Sequence, residues 1–199
     1  MKYLILLLGF YAWIPVSTKA QELSCSDTIH QYRERYVSEH EVVLGEDRVN
    51  LRFFPVDTRY CVAASFERIF EAPWFPMETS GTRKKTYRVY GILHFTLNDS
   101  SLKLHIYQSK DLLADPKYTD YLFIPFTDRT SGEESYENGR YIDLRIAELE
   151  SGTYRLDFNK AYNPYCAYVS NKYNCPVPPK ENQLDIAIRA GEMRYEKNH

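Results

Sequence analysis

The chain changes its hydrophobic period once, and that change organises it. Over residues 27–40, Ile29, Tyr32, Tyr36 and Val37 recur at the three- and four-residue spacing of one helix face. Ser24 and Asp27 stand where a helix start would be capped. Beyond His40 the period falls to two. Residues 50–54 and 60–69 read as strands about a turn at 55–58, and Pro73 and Pro76 around Trp74 mark an edge or an irregular strand entry. A hairpin then pairs strands 87–97 and 102–108 about a turn at 98–101. Leu97 faces Leu102, Phe95 faces Leu104 and Leu93 faces Ile106 on an apolar side, with Thr96 against Lys103 and His94 against His105 on the other.

Residues 111–120 read as a loop or short helical turn ending near Pro116. Four further strands are predicted at 121–126, 141–146, 153–158 and 184–188, with a hairpin turn at 150–152 and an extended, proline-rich connector at 174–182. There is no repeat, linker or low-complexity tract. The pattern predicts a single mainly β domain, α+β at most: one antiparallel barrel or sandwich with one N-terminal helix. Residues 21–199 form that domain, because residues 1–20 read as a secretory signal. Lys2 precedes an apolar run from Tyr3 to Ile14, and Thr18-Lys19-Ala20 offers small residues at a cleavage site between Ala20 and Gln21. The run is short for a membrane span, and no later segment resembles one.

Composition narrows the partners. The net charge is −2, both signs are interleaved, and Arg83-Lys84-Lys85 is an isolated basic run, so neither nucleic acid nor an anionic membrane surface is indicated. An exported chain meets an oxidising compartment, in which its four cysteines pair. Three connectivities exist. Cys166 with Cys175, joined by a short turn-rich loop, is the favoured pair, leaving Cys25 with Cys61. A redox or metal dithiol at Cys166 and Cys175 lacks both C-x-x-C spacing and a nearby histidine. The 18 tyrosines are a surplus with two readings: half-buried strand positions, or an aromatic cleft that stacks a flat ligand.

Several mechanisms have no residues to carry them. The chain lacks a G-x-S-x-G elbow, a Walker loop and a dinucleotide-binding glycine motif. His40-Glu41 opens like a zinc-protease helix, but Leu44 stands where the second histidine belongs. His94 and His105 as cross-strand neighbours have no third ligand in sight, so no metal and no cofactor is expected.

Polar residues instead gather at the ends of the later strands. Asp128 opens the loop after 121–126, Tyr136 and Arg140 flank the turn dipeptide Asn138-Gly139, and Asp157, Asn159, Tyr162, Asn163 and Cys166 follow strand 153–158. The guanidinium of Arg140 suits a carboxylate or other anion, with Tyr136, Asn159, Tyr162 and Asn163 around it. Asp128 and Asp157 suit an acid–base pair if they face one another across a cleft. The alternative is structural: Arg140 pairs with Asp128 or Asp157 to bridge loops, and Asn159 and Asn163 satisfy buried backbone groups.

Several segments together resemble an uncharacterised prokaryotic family, catalogued as domain of unknown function 1684. They are L-R-F-F-P-V-D-T-R-Y from Leu51, Y-R-V-Y-G-I-L-H-F from Tyr87, F-I-P-F-T-D-R-T-S-G from Phe123, G-R-Y-I-D-L from Gly139, D-F-N-K-A-Y-N-P-Y-C-A-Y from Asp157, C-P-V-P-P-K-E-N from Cys175 and R-A-G-E from Arg189. The resemblance implies a bacterial or archaeal source and hence periplasmic or secreted residence. It places Asn182 and Glu192 with Asp128, Gly139, Arg140, Asp157, Asn159, Asn163, Cys166 and Cys175 in the family signature, and implies no activity. Three functions are then open. The first is binding of a small polar ligand, a sugar or carboxylate, at loops 126–140 and 157–182. The second is hydrolysis by Asp128 and Asp157, and the third a structural or interaction role.

Overall fold

A computed structural model describes residues 25–196. The expected leader, its cleavage between Ala20 and Gln21, the cap at Ser24 and Asp27, and the Cys25 side chain with its expected pairing to Cys61 all lie outside the described residues. Helix α1 runs Cys25–Glu39, as the periodicity predicts. His40 ends it by folding its ring back: Nδ1 accepts from the backbone N–H groups of Val42 and Val43 at 3.2 and 2.9 Å. A 3-10 turn at Gly45–Asn50 follows.

Seven strands come next: β1 (Cys61–Arg68), β2 (Phe75–Met77), β3 (Lys85–Leu97), β4 (Ser100–Ser109), β5 (Tyr121–Phe126), β6 (Arg140–Arg145) and β7 (Thr153–Asp157). They form one antiparallel sheet in the order β6-β5-β4-β3-β1-β7, with β2 added to β3, curled into a half-barrel. Among the described residues no helix is long and apolar enough to cross a membrane.

The β3–β4 hairpin corrects the expected register. Asn98 and Asp99 take positive φ angles of 49° and 60° and make a two-residue turn. Asx side chains tolerate this conformation, and its twist suits a tight hairpin. Leu97 therefore pairs with Ser100, Phe95 with Leu102, Leu93 with Leu104, and His94 with Lys103 rather than His105. The register moves by two residues, so Leu93, Phe95, Leu97, Leu102, Leu104 and Ile106 keep their predicted face while their partners change. An irregularity between Val89 and Gly91 turns Tyr87 and Val89 to the other face. His94 instead meets Glu67 at 2.8 Å.

Two predicted strands are not strands. Residues 50–54 contribute a single bridge, Phe53 to Glu192, and residues 184–188 lie beside one parallel bridge, Thr127 to Gln183. The latter stretch is held to residues 127–129 by a few backbone bonds, Leu184 N–H to the Thr127 carbonyl at 2.8 Å and Arg129 N–H to the Ile186 carbonyl at 3.0 Å. A side chain then takes over: the Ile188 N–H donates to Asp128 Oδ1 at 3.1 Å.

Strand alternation sorts side chains onto two faces. Leu122, Ile124 and Phe126 of β5 and Ile142 and Leu144 of β6 enter the main core with Leu93, Leu104, Ile106, Leu156 and Phe158. Leu184, Ile188 and Ala190, from the strandless C-terminal segment, complete it. Phe123, Tyr141, Tyr87, Tyr107 and Met77 form a second cluster on the other face, packed by Tyr121 and Tyr162.

Gly139 sets up the entry to β6. Its φ is +86°, and a Cβ there would stand 2.4 Å from the Phe126 carbonyl and 2.7 Å from Pro178. Gly139→Ala is expected to destabilise the fold by about 2 kcal/mol or more, through backbone strain and displacement of Pro178. Equilibrium urea unfolding checks this; an unchanged midpoint refutes it.

Candidate functional site

The polar residues at the strand ends form a buried frame. Arg140 and the Asp128 carboxylate are both fully buried, with Nη2 2.8 Å from Oδ2. Nη2 also donates to the Ile188 carbonyl at 2.8 Å, while Nη1 donates to the carbonyls of Ala190 and Glu192. Phe54 and Phe126 flank the guanidinium at 5.8 and 5.4 Å from their ring centres. Asp128 Oδ1 accepts from Thr130 N at 2.8 Å. A fork donor is what a strandless segment needs: one side chain gathers three carbonyls that would otherwise be buried unpaired.

The asparagines act likewise. Asn159 receives the Asp57 N–H and donates to the Asp57 carbonyl, at 3.0 and 2.9 Å, and also donates to Asp157. Asn182 pairs with both backbone groups of His105 and donates to the Pro125 carbonyl, joining β4 to β5 where their ladder is short. Asn163 Nδ2 donates to the Met193 carbonyl at 2.8 Å. Tyr136 is buried, its hydroxyl accepting from Asn138. Asp128 and Asp157 sit in separate sets of hydrogen bonds, the latter receiving Asn159 N and Nδ2.

Glu192 is wholly buried. Its carboxylate accepts from Asn163 N, Tyr36 Oη and Tyr168 Oη at 2.8–3.1 Å. Burial pushes its pKa up to about 7, against the pull of those donors. Tyr36 belongs to α1, so Glu192 ties that helix to the C-terminal segment.

The open concavity lies on the other face of β5 and β6. A cleft of about 600 Å³ is bounded by α1, the ends of β3, β5 and β6, and the stretch from Tyr162 to Pro176. Its walls include Tyr32, Tyr36, Tyr87, Tyr121, Tyr141, Tyr162, Tyr165 and Tyr173, with Phe123. The Cys166–Cys175 disulfide closes the loop that carries one wall. That closure contributes roughly 2–3 kcal/mol in the chain-entropy view.

Asp143 belongs to this cleft. Alternation on β6 turns it away from Arg140 and beside Tyr141, opposite Phe123 of β5. Backbone hydrogen bonds in both directions between Tyr141 and Tyr162 (2.9 and 3.0 Å) lay the Tyr162 segment along β6. Tyr162 Oη then reaches Asp143 Oδ1 at 2.6 Å, and Tyr121 Oη reaches the same oxygen at 2.7 Å. Asp143 is exposed to solvent yet enclosed by protein, which places it within a concavity rather than on a convex surface. The enclosure raises its pKa, while the two hydroxyls and the Arg145 charge lower it. Burial, with Asp143 next, raises the Tyr162 and Tyr121 phenols well above their ordinary value, so both remain donors.

Of the side chains singled out from sequence, Tyr162 lines the cleft, as does Cys175 of the disulfide. Tyr136, Arg140, Asp128, Asp157, Asn159, Asn163, Asn182 and Glu192 lie in the frame. Asp143 and Tyr121 are not among them; the nearest sequence signal is the tyrosine surplus, for which an aromatic cleft is one of the two readings. Among the described residues no group of three or more His, Cys, Asp or Glu side chains is placed to hold a metal ion.

The chain belongs to a family that its sequence identifies. Residues 48–193 match the family described as Protein of unknown function (DUF1684). A solved structure similar to this chain is the solution NMR structure of an uncharacterised protein of Haloarcula marismortui. It is 33% identical, with a TM-score of 0.63 over 84% of this chain and 92% of that one. No curated protein matches.

Two outcomes follow from the frame. Arg140→Ala leaves Asp128 charged, buried and unpartnered by its guanidinium, and is expected to cost about 3–5 kcal/mol in urea unfolding; a loss below about 1 kcal/mol would show the frame to be dispensable. Glu192 titrates at about 7 when folded against an ordinary 4.5. Its protonated form is thus favoured by folding, and stability present below about pH 4.5 is lost as pH rises through about 7, on the order of 3 kcal/mol. Melting temperature followed from pH 5 to 8 should fall less steeply in Glu192→Gln than in the parent chain.

Proposed function

We propose that this protein is a binding module of the periplasm or cell exterior, holding a small polar ligand in the tyrosine cleft. The observation that carries the reading is Asp143: a carboxylate reached by solvent, enclosed in aromatic walls and oriented by two tyrosine hydroxyls. Such convergence of a few polar groups in an apolar concavity is the ordinary make-up of a small-molecule site. The leader-like residues 1–20 and the Cys166–Cys175 disulfide support residence in an oxidising compartment.

The reading shifts the ligand from Arg140 to the opposite face of β6. Arg140 is fully buried, with Asp128 and three carbonyls on its Nη atoms. That supports its role as an internal tie. Hydrolysis by Asp128 and Asp157 draws no support from their separate, buried hydrogen-bond sets. This reading retains part of loop 157–182, whose Tyr162, Pro164, Tyr165 and Tyr173 line the cleft.

Native mass spectrometry of the protein purified from its own cell envelope tests this. A bound small molecule should add mass in the native spectrum, vanish on denaturation, and be missing from Asp143→Asn purified in the same way. Retention of the same mass by Asp143→Asn would move the site elsewhere.

A further inference from the structure

Six of the eight cleft tyrosines have already committed their hydroxyl protons. Tyr121 and Tyr162 donate to Asp143, Tyr36 to Glu192, Tyr165 to Glu41, Tyr32 to the Lys160 carbonyl and Tyr141 to the Pro176 carbonyl. What they leave for a ligand is ring surface and hydroxyl lone pairs. Asp143 adds one more acceptor, because among the described residues Oδ2 receives no hydrogen bond while Oδ1 receives two. Aromatic faces, lone pairs and a carboxylate oxygen all attract positive charge. A sugar needs donors as well as acceptors and would find few of them on these tyrosines.

The charges of the cleft are arranged to suit a cationic head. Its two fixed cations, Arg35 and Lys85, make no ion pair among the described residues. Neither is among the charges that act on Asp143; Arg145 is. The Arg145 guanidinium is itself occupied by Asp120 at 2.6 Å and by the Lys117 carbonyl. Arg35 and Lys85 share the lining with Glu39 and Glu41, so with Asp143 the two cations face three carboxylates and the cleft has one negative charge in excess, which a single positive head neutralises.

Resting on the cleft reading above, we propose that the ligand is a small organic ammonium compound with one positive charge, its head seated against Asp143. Lining tyrosine rings supply cation–π attraction, and Asp143 supplies the counter-ion.

Titration calorimetry on the full, disulfide-bonded chain distinguishes the possibilities. The probes are choline, glycine betaine, glucose, the diamine putrescine, and dimethylbutanol, the isostere of choline with carbon in place of nitrogen. Choline and glycine betaine should bind at least about tenfold more tightly than dimethylbutanol, and putrescine more weakly than choline. Asp143→Asn keeps the shape and the acceptor for both tyrosines. It should weaken choline about tenfold or more while leaving dimethylbutanol unchanged. Its melting temperature should not fall, since it removes an enclosed charge. Equal binding of choline and dimethylbutanol, or indifference of choline to Asp143→Asn, overturns the proposal. Binding of glucose alone overturns it while the cleft reading stands. Silence from every probe, together with native spectra that show only bare protein, overturns both.

Discussion

One guanidinium keeps the C-terminal part of the chain in place. After β7 no further strand forms among the described residues, yet Ile188 and Ala190 are buried in the core. Burying backbone without a ladder strands its polar groups, and each orphaned carbonyl costs as much as a lost hydrogen bond. Arg140 meets that demand through the carbonyls of residues 188, 190 and 192, and Asp128 answers both the Arg140 charge and the Ile188 N–H. Gly191, at φ +78° with no room for a Cβ beside the Ala161 carbonyl, lets this stretch pass close enough to be gathered.

The sheet was legible because alternation is a local signal. Strand 121–126 and both strands of the hairpin appear where the pattern puts them. Partner choice was less legible: the hairpin slid by two residues, a shift that preserves faces and is invisible to any argument from apolar pairing. Whether the turn holds two residues or four is decided by Asn98 and Asp99 accepting positive φ. Stretches 50–54 and 184–188 show the other limit. They alternate like strands, but the groups that satisfy their backbone are distant in sequence.

The cleft hid for a related reason. Arg140 and Asp143 are three residues apart on β6 and therefore point to opposite faces. Arginine beside a glycine turn has a local signature, while the aspartate inside G-R-Y-I-D-L has none. Its importance depends on Tyr162, brought alongside by one bridge to Tyr141, and on α1 covering the far side. Neither placement has a local signature. Behind this wall Tyr36 hands its hydroxyl to Glu192, so the frame and the cleft meet at the helix.

The tyrosines are struts as well as walls. Tyr32 reaches Lys160, Tyr141 reaches Pro176 and Tyr165 reaches Glu41, each hydroxyl tying together segments far apart in sequence. Replacing any of them alters the cleft and loosens the fold at once. The cleft therefore has little freedom to change its walls by single steps. Variation among chains built on this plan has its easiest outlet at Arg35 and Lys85, whose heads hold nothing else together among the described residues. On the binding reading proposed above, adaptation to new ligands proceeds through charge at these two positions, with the aromatic chamber inherited as a fixed part.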